Sequence, residues 1–226
     1  MMCPRRTFGV LAFAFLVSAA NAGASPISVT YTDQVTGWEW AEVAELTNLT
    51  WNEVNDVCEE DGVTACVGSL NQKEFDGWIW ATSDQVGDLF VNATDNLTAS
   101  MLSNGHAEVF GSPWAPQFLA LFAPTLEVPG DSDWVIGWSA DSVPDVATRA
   151  SAPFMRDAFK LCPPCSIFDA DSATIKTEND KDDLILGGVW LHRPAETAVV
   201  TPEPASLLLL GSGLLVGIRR YRKSRS

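Results

Sequence analysis

The stretch "DGWIWATSDQVGDLF", residues 76–90, carries the signals that decide the fold. Trp78 and Trp80 alternate with other residues, as side chains on one face of a strand do. Thr82 followed three residues later by Gln85 is a capping box, the signature of a helix N-terminus. The apolar residues after it repeat at helical spacing: Val86, Leu89 and Phe90. The stretch therefore predicts a strand, a cap and a helix.

The same arrangement occurs earlier in the chain. "GWEWA" from Gly37 matches "GWIWA" from Gly77, and "LTWNEVNDVC", residues 49–58, follows it. Thr50 and Glu53 form a second capping box, which predicts an amphipathic helix with Cys58 at its buried end. One recurrence does not make a solenoid, because a solenoid needs about three repeats for stability.

The remaining patterns predict a single α+β domain over residues 23–194, with helices early and strands later. "ISVTYT" from Ile27 alternates as a strand, and "DWVIGWSA" from Asp133 and "DDLILGGVWLHRP" from Asp182 are typical of buried strands, the second closing the domain. Two short helices are expected over residues 97–102 and 114–122, and a linker over 195–201.

Residues 1–22 predict a secretory signal peptide. Arg5 and Arg6 form a basic start, an apolar run follows, and "ANA" at residues 20–22 is a small-residue cleavage site for signal peptidase. Cys3 is then lost with the peptide. A retained membrane anchor is the alternative, but the run of about ten apolar residues is shorter than the ~20 that a spanning helix needs.

The charge of the domain is strongly negative. Of the chain's 29 acids and 14 bases, one acid and seven bases lie in the two ends, so 28 acids face seven bases, a net charge of −21, over residues 23–198. Such a surface repels nucleic acid and anionic lipid, which excludes them as expected partners. Calcium ions, cationic partners and simple solubility outside the cell are all compatible with it.

Four cysteines remain after signal cleavage, and an even number in an exported chain predicts two disulfides. Local pairing is favoured, Cys58 with Cys66 and Cys162 with Cys165. Two alternatives stay open: Cys162 and Cys165 as a redox pair, and all four as a zinc site.

Signals for catalysis are few, and we expect a protein that is not an enzyme. The chain has two histidines, His106 and His192, neither near a nucleophile motif or a metal-spaced partner. His192 is expected to be a surface residue. The acidic residues 169–174 begin like a calcium loop but lack the turn glycine, so Ca²⁺ is a weak candidate ligand and no metal site is assigned.

Nine tryptophans are many for this length. Exposed indole faces stack on sugar rings, and the candidates for that role are Trp38, Trp40, Trp78 and Trp80. Packing in the core is the alternative, because large aromatic side chains dominate cores.

The C-terminal tail, residues 202–226, has three parts in a fixed order. Pro202, Glu203 and Pro204 form a stiff start, uncharged residues 205–218 follow, and a basic end closes the chain with Arg219, Arg220, Arg222, Lys223 and Arg225. As a helix, 205–218 would be about 21 Å long, short for a bilayer core of ~30 Å. Basic residues that stay cytoplasmic can extend their long side chains to the membrane surface, which offsets that shortfall. The tail therefore predicts a transmembrane helix with the domain outside the membrane and a membrane stop at residues 219–225.

This tail resembles the PEP-CTERM sorting signal. The resemblance implies recognition at Pro202, Glu203 and Pro204 by an exosortase, a membrane protease of Gram-negative bacteria that export polysaccharide. It also implies export across the inner membrane, transient anchoring, and release to the cell surface or extracellular matrix.

Four stretches resemble C-type-lectin-like modules of bacterial surface proteins: "LTWNEVNDVC", "DGWIWATSDQVGDLF", "IGWSAD" and "GGVWLHRP". Together the resemblances imply an exported, non-catalytic module associated with extracellular polysaccharide in a biofilm matrix. A secreted enzyme acting on that matrix and a purely structural anchored protein are the alternatives.

Overall fold

A computed structural model describes residues 23–110, 114–160 and 168–195 of the chain. The predicted signal peptide (1–22), the second cysteine pair (Cys162 and Cys165) and the predicted sorting tail (202–226) lie outside these residues.

The described residues form short strands and helices in the following order. They are β1 (Ser25–Pro26), β2 (Val29–Asp33), β3 (Trp38–Ala41), a 3-10 helix (Val43–Leu46), α1 (Trp51–Asn55), β4 (Ser69–Leu70), β5 (Lys73–Glu74), β6 (Ile79–Trp80), α2 (Ser83–Asn92), β7 (His106–Phe110), α3 (Trp114–Leu119), β8 (Leu126–Val128), β9 (Ser132–Trp138), β10 (Arg149–Ala150), β11 (Phe154–Lys160), β12 (Phe168–Thr174), β13 (Asn179–Asp180), β14 (Gly188–Val189) and β15 (Leu191–Pro194). Sheets with a few helices confirm the α+β class, although strands also precede the first helix.

Both helix N-termini predicted from the sequence are present. Thr50 accepts a hydrogen bond from the Glu53 amide at α1, and Thr82 accepts one from the Gln85 amide at α2, each with the reciprocal side-chain bond of a full capping box. The predicted apolar stripe of α2 is buried. The capping boxes predict these helix starts correctly because their side chains satisfy backbone amides within the first turn, independently of contacts with the rest of the chain.

The two "GWxWA" segments become strands of the same sheet. Its order is β2-β3-β15-β6, and all its pairings are antiparallel. β3 and β6 lie on either side of the closing strand β15, with Trp40 opposite His192 and Trp80 opposite Leu191. The two similar segments therefore pair with opposite edges of the central strand β15.

A second, six-stranded sheet forms the other large layer. Its order is β14-β9-β11-β12-β7, with β8 also paired to β9, and only β14 runs parallel to its neighbour. Two small sheets complete the fold, the three-stranded β1-β5-β4 and the two-stranded β10-β13.

The closing segment joins the two large sheets. β14 pairs with β9 in one sheet and β15 pairs with β3 and β6 in the other. Trp190 lies between them, donating its amide to Trp138 O (3.0 Å) and accepting from the Ala81 amide (2.9 Å). A Cβ on Gly188 would overlap the carbonyl oxygen of Val43, so only glycine lets these backbones approach.

Two buried clusters fill the interior. The first cluster is rich in aromatic rings and packs α2 and α3 against the sheets, with Phe90, Phe118, Phe122 and Trp190 at its centre. The second cluster surrounds α1 and the Cys58–Cys66 disulfide, with Trp51, Trp80 and Trp138. The local disulfide predicted from the sequence is confirmed for this pair.

Two predictions about the secondary structure were wrong. Residues 97–102 form turns, because Thr98 and Ser100 bond to each other while Leu97 and Leu102 are buried without a helix. In the closing stretch, Leu184 and Leu186 are exposed, and strand structure begins only at Gly188. Residues 169–174, whose acidic pattern begins like a calcium loop, lie within strand β12.

Candidate functional site

The outer side of α2 carries two adjoining cavities, of about 410 and 230 Å³. Both are lined by Asp84 and Lys176, so they are neighbours along one face. We call this feature the α2 groove. Its first cavity is lined mainly by polar residues, among them Ser83, Asp141, Ser142, Ser151, Thr177 and Glu178. Its second cavity is lined by Asp88, Ser103 and several apolar residues.

The capping box positions the start of the groove. It fixes the first turn of α2 directly after β6, and the side-chain Nε2 of Gln85 also donates to the carbonyl oxygen of Gly62 (2.9 Å). The opposite wall of the groove is formed by the residues after β12. Ile175 is buried against α2, and Lys176 and Thr177, which follow it, line the groove. Two elements distant in sequence thus define one concave surface.

The floor of the first cavity is a chain of buried hydroxyl groups. Ser83 Oγ lies 2.9 Å from Ser139 Oγ, which donates to the carbonyl oxygen of Ser151 (3.2 Å). Ser151 Oγ in turn donates to the carbonyl oxygen of Ile175 (3.1 Å). Asp141 accepts a hydrogen bond from the Ser83 amide through its Oδ2. These bonds fix the orientation of the polar groups without a bound molecule.

The charges along the groove are mostly negative. Four carboxylates line it against one ammonium group, Lys176, and one of the four, Glu178, is paired with Arg149 at 3.0 Å. Asp84 and Asp88 stand one helical turn apart on α2. Partial burial raises the pKa of Asp88, and the negative charges of Asp84 and Asp33 raise it further.

The tryptophans expected to stack on sugars are not available for that role. Trp40, Trp78 and Trp80 are at most 2 % exposed, and Trp38 is half-buried with its ring stacked on that of His192. Trp80 Nε1 donates to Trp138 O (3.1 Å) and the Arg193 guanidinium covers the Trp78 ring (4.5 Å), whereas Trp40 is buried although its Nε1 has no hydrogen-bond partner among the described residues. The stacking prediction was wrong for Trp40, Trp78 and Trp80, and core packing was the correct alternative.

His192 was wrongly expected at the surface. It is 2 % exposed, with its ring 4.0 Å from that of Trp38 and 5.2 Å from that of Trp40. Burial lowers its pKa to about 4. The other histidine, His106, shares a hydrogen bond with the hydroxyl of Thr174 (2.8 Å) on the neighbouring strand.

Within the acidic stretch that begins like a calcium loop, Asp171 has a structural partner. Its Oδ2 accepts from the Ala115 amide (2.8 Å) in the first turn of α3. Among the described residues, no group of three or more His, Cys, Asp or Glu side chains is arranged to hold a metal ion.

None of the groove residues was selected from the sequence. The available signal was the pair Asp84 and Asp88, four residues apart on a helix whose start and apolar stripe were both predicted. The sequence could therefore have indicated an acidic outer face on α2. It carried no sign that Lys176 and Ser151 would lie beside that face.

The site with a recognised function lies in the tail. A family model described as the PEP-CTERM protein-sorting motif matches residues 200–223. The motif implies export, sorting to the cell surface and processing by an exosortase. In the part of the chain that the structure describes, no helix is long and apolar enough to cross a membrane.

Comparison of the whole chain with curated proteins and with solved structures finds no match. The resemblance to C-type-lectin-like modules is therefore not shown and stays a prediction from the sequence.

Proposed function

We propose that the chain is a non-catalytic surface or matrix protein whose acidic domain associates with extracellular polysaccharide after exosortase processing. The PEP-CTERM motif at residues 200–223 is the observation that carries the proposal. In this proposal Pro202, Glu203 and Pro204 are the recognition residues, residues 205–218 anchor the chain transiently, and the basic end stops transfer through the membrane. Signal peptidase removes residues 1–22 at the other end.

The domain supplies two supporting observations. Its net charge of −21 over residues 23–198 suits a soluble extracellular environment and disfavours nucleic acid as a partner. Its α2 groove offers hydroxyl and carboxylate groups in a concave surface, the kind of lining that forms hydrogen bonds with sugar hydroxyls. A C-type-lectin-like fold is the finer proposal for this domain, and it rests on the capped helices and the closing strand.

The sorting part is tested by deleting Pro202, Glu203 and Pro204 in a strain with an active exosortase. We expect the deleted form to keep its tail, so that its mass is higher than that of the processed wild type and it stays in the membrane fraction. The matched control is the wild-type chain in a strain without the exosortase, which should behave in the same way. A deletion that leaves both mass and location unchanged would contradict the proposal.

The mass of the mature wild-type protein also reports both cleavages. Loss of residues 1–22 and of the tail after the cut near Pro202 gives one expected mass, and each disulfide lowers it by two hydrogens. A mature chain that keeps residues 205–226 would contradict exosortase processing.

Association with polysaccharide is tested with the processed protein purified from culture. It should be retained by the polysaccharide of the producing strain immobilised on beads, and free polysaccharide should compete. Failure to bind would favour a purely structural protein, a role that the buried tryptophans also fit.

An enzyme acting on the matrix is the second candidate, and one observation favours it. Asp84, Asp141 and Glu178 line the same cavity, and paired carboxylates serve as acid and base in glycoside hydrolysis. Release of reducing ends from the polysaccharide by wild type, abolished in Asp141→Asn, would replace the non-catalytic proposal. We expect no release from either.

A further inference from the structure

We propose that the α2 groove binds a linear glycan carrying free amino groups, and that Asp84 and Asp88 hold those amines. This inference rests on the proposed function and names the chemical class of polysaccharide that the domain would bind.

The shape of the groove favours a chain-like ligand. Its two cavities, about 410 and 230 Å³, meet at Asp84 and Lys176 and together run beside α2. The larger one alone lies within the range of small-molecule sites, about 300–1,000 Å³. A ligand of repeating units can place one unit in each cavity, whereas a single small molecule would occupy one cavity and leave the other filled with water.

The floor of the groove favours a ligand rich in hydroxyl groups. Ser83 and Ser151 both line the first cavity and are each 6 % exposed, with their hydroxyls held by neighbouring residues. A serine hydroxyl has one donor and two acceptor positions. Ser83 donates to Ser139, and Ser151 donates to Ile175 O and accepts from the Thr177 amide (3.3 Å), so each hydroxyl retains acceptor capacity. Sugar hydroxyls are both donors and acceptors and match that capacity.

The charges select among glycans. Asp84 and Asp88 are exposed on the same face of α2, and among the described residues neither forms an ion pair. Like charges four residues apart repel each other on a helix, and a cation placed between them removes that repulsion. Among the described residues, Lys176 is the only cation that lines the groove, and its stem packs beside Gly105. The excess of carboxylates disfavours uronic-acid or sulfated glycans and favours ammonium-bearing sugars.

The test compares three hexasaccharides that differ in charge. Calorimetric titration of the processed protein would use glucosamine, N-acetylglucosamine and galacturonate hexamers at low and at physiological salt. The variant is Asp84→Asn with Asp88→Asn, and its matched control is Glu59→Gln with Glu127→Gln. Glu59 and Glu127 are exposed and do not line the groove. Thermal unfolding of both variants confirms that each is folded.

We expect the glucosamine hexamer to bind most tightly and the double aspartate variant to lose about five- to tenfold in affinity, as two exposed ion pairs would contribute. The control should lose less than twofold. Equal binding of the acetylated and free-amine hexamers, or equal loss in the control, would overturn the inference while leaving polysaccharide association intact. If no hexamer binds and the native polysaccharide also fails, the proposed function fails with it.

Discussion

Acidification should destabilise this domain through a single buried side chain, His192. The imidazole lies on the central strand β15, 2 % exposed, against the rings of Trp38 and Trp40. Neither ring nitrogen has a hydrogen-bond partner among the described residues. The protonated form would therefore bring a charge into an apolar site without compensation, which is why burial lowers the pKa of His192 to about 4.

The magnitude follows from linkage between protonation and folding. In the unfolded chain the imidazole has an ordinary pKa of about 6.5, so below that pH the unfolded state binds a proton that the folded state does not. The stability that depends on neutral His192 is complete above about pH 7 and falls as the pH drops from 6.5 towards 4. By pH 5 the loss is about 2 kcal/mol, and the full loss is about 3 kcal/mol.

The two carboxylates with lowered pKa values titrate at a lower pH than His192 does in the unfolded chain. The hydrogen bond from Lys73 lowers the pKa of Glu45, and for Asp33 four hydrogen bonds outweigh the opposing effect of burial and lower the pKa as well. Both groups stabilise the fold above their unfolded pKa of about 4 and lose that contribution only as the pH falls below it. Asp88, whose pKa is raised, acts in the opposite sense. Because Asp88 is unchanged in His192→Phe, the difference between wild type and this variant isolates the contribution of His192.

The assay is urea unfolding at several pH values between 7.5 and 5, for wild type and for His192→Phe. Phenylalanine keeps an aromatic ring against Trp38 but does not titrate, so the pH dependence of its unfolding free energy should be flatter by about 2 kcal/mol over this interval. His106→Gln is the control for replacing a histidine whose side chain is about half exposed.

Two results would refute the reasoning. One is an equal pH slope for wild type and His192→Phe. The other is a midpoint near 6.5 for the His192 ring signals in an NMR titration of the folded wild type, which needs no variant.

Further predictions concern the elements that position the site. Replacing Cys58 and Cys66 with serine should lower the unfolding free energy in urea by about 2.5 kcal/mol, because their disulfide closes a short loop, and an unchanged midpoint would contradict this. Thr82→Ala should lower it by about 1 kcal/mol, since the first turn of α2 loses its cap, whereas Thr82→Ser should retain most of the stability. Gly188→Ala should lower it by about 3 kcal/mol or more, because the added Cβ meets the carbonyl oxygen of Val43, and wild-type stability in this variant would disprove that close approach.

Several features of the fold were predictable because their causes are local. The capping boxes at Thr50 and Thr82 satisfy backbone amides within one turn, and the Cys58–Cys66 pair is close in sequence. Strand β12 was missed because its acidic sequence is atypical of a strand. Asp171 is buried there, and its carboxylate accepts a hydrogen bond from the Ala115 amide of α3.

The sequence by itself determined the α+β class, the capped starts of α1 and α2, and the sorting motif at residues 200–223. Each depends on groups that are neighbours along the chain. The tertiary structure alone decided that His192 is buried under Trp38 and that Lys176 and Ser151 meet Asp84 beside α2. Those contacts join residues that are far apart in sequence, and no local pattern records which distant strand will pair with which. The sorting motif therefore consists of contiguous residues, whereas the α2 groove forms only when the chain has folded.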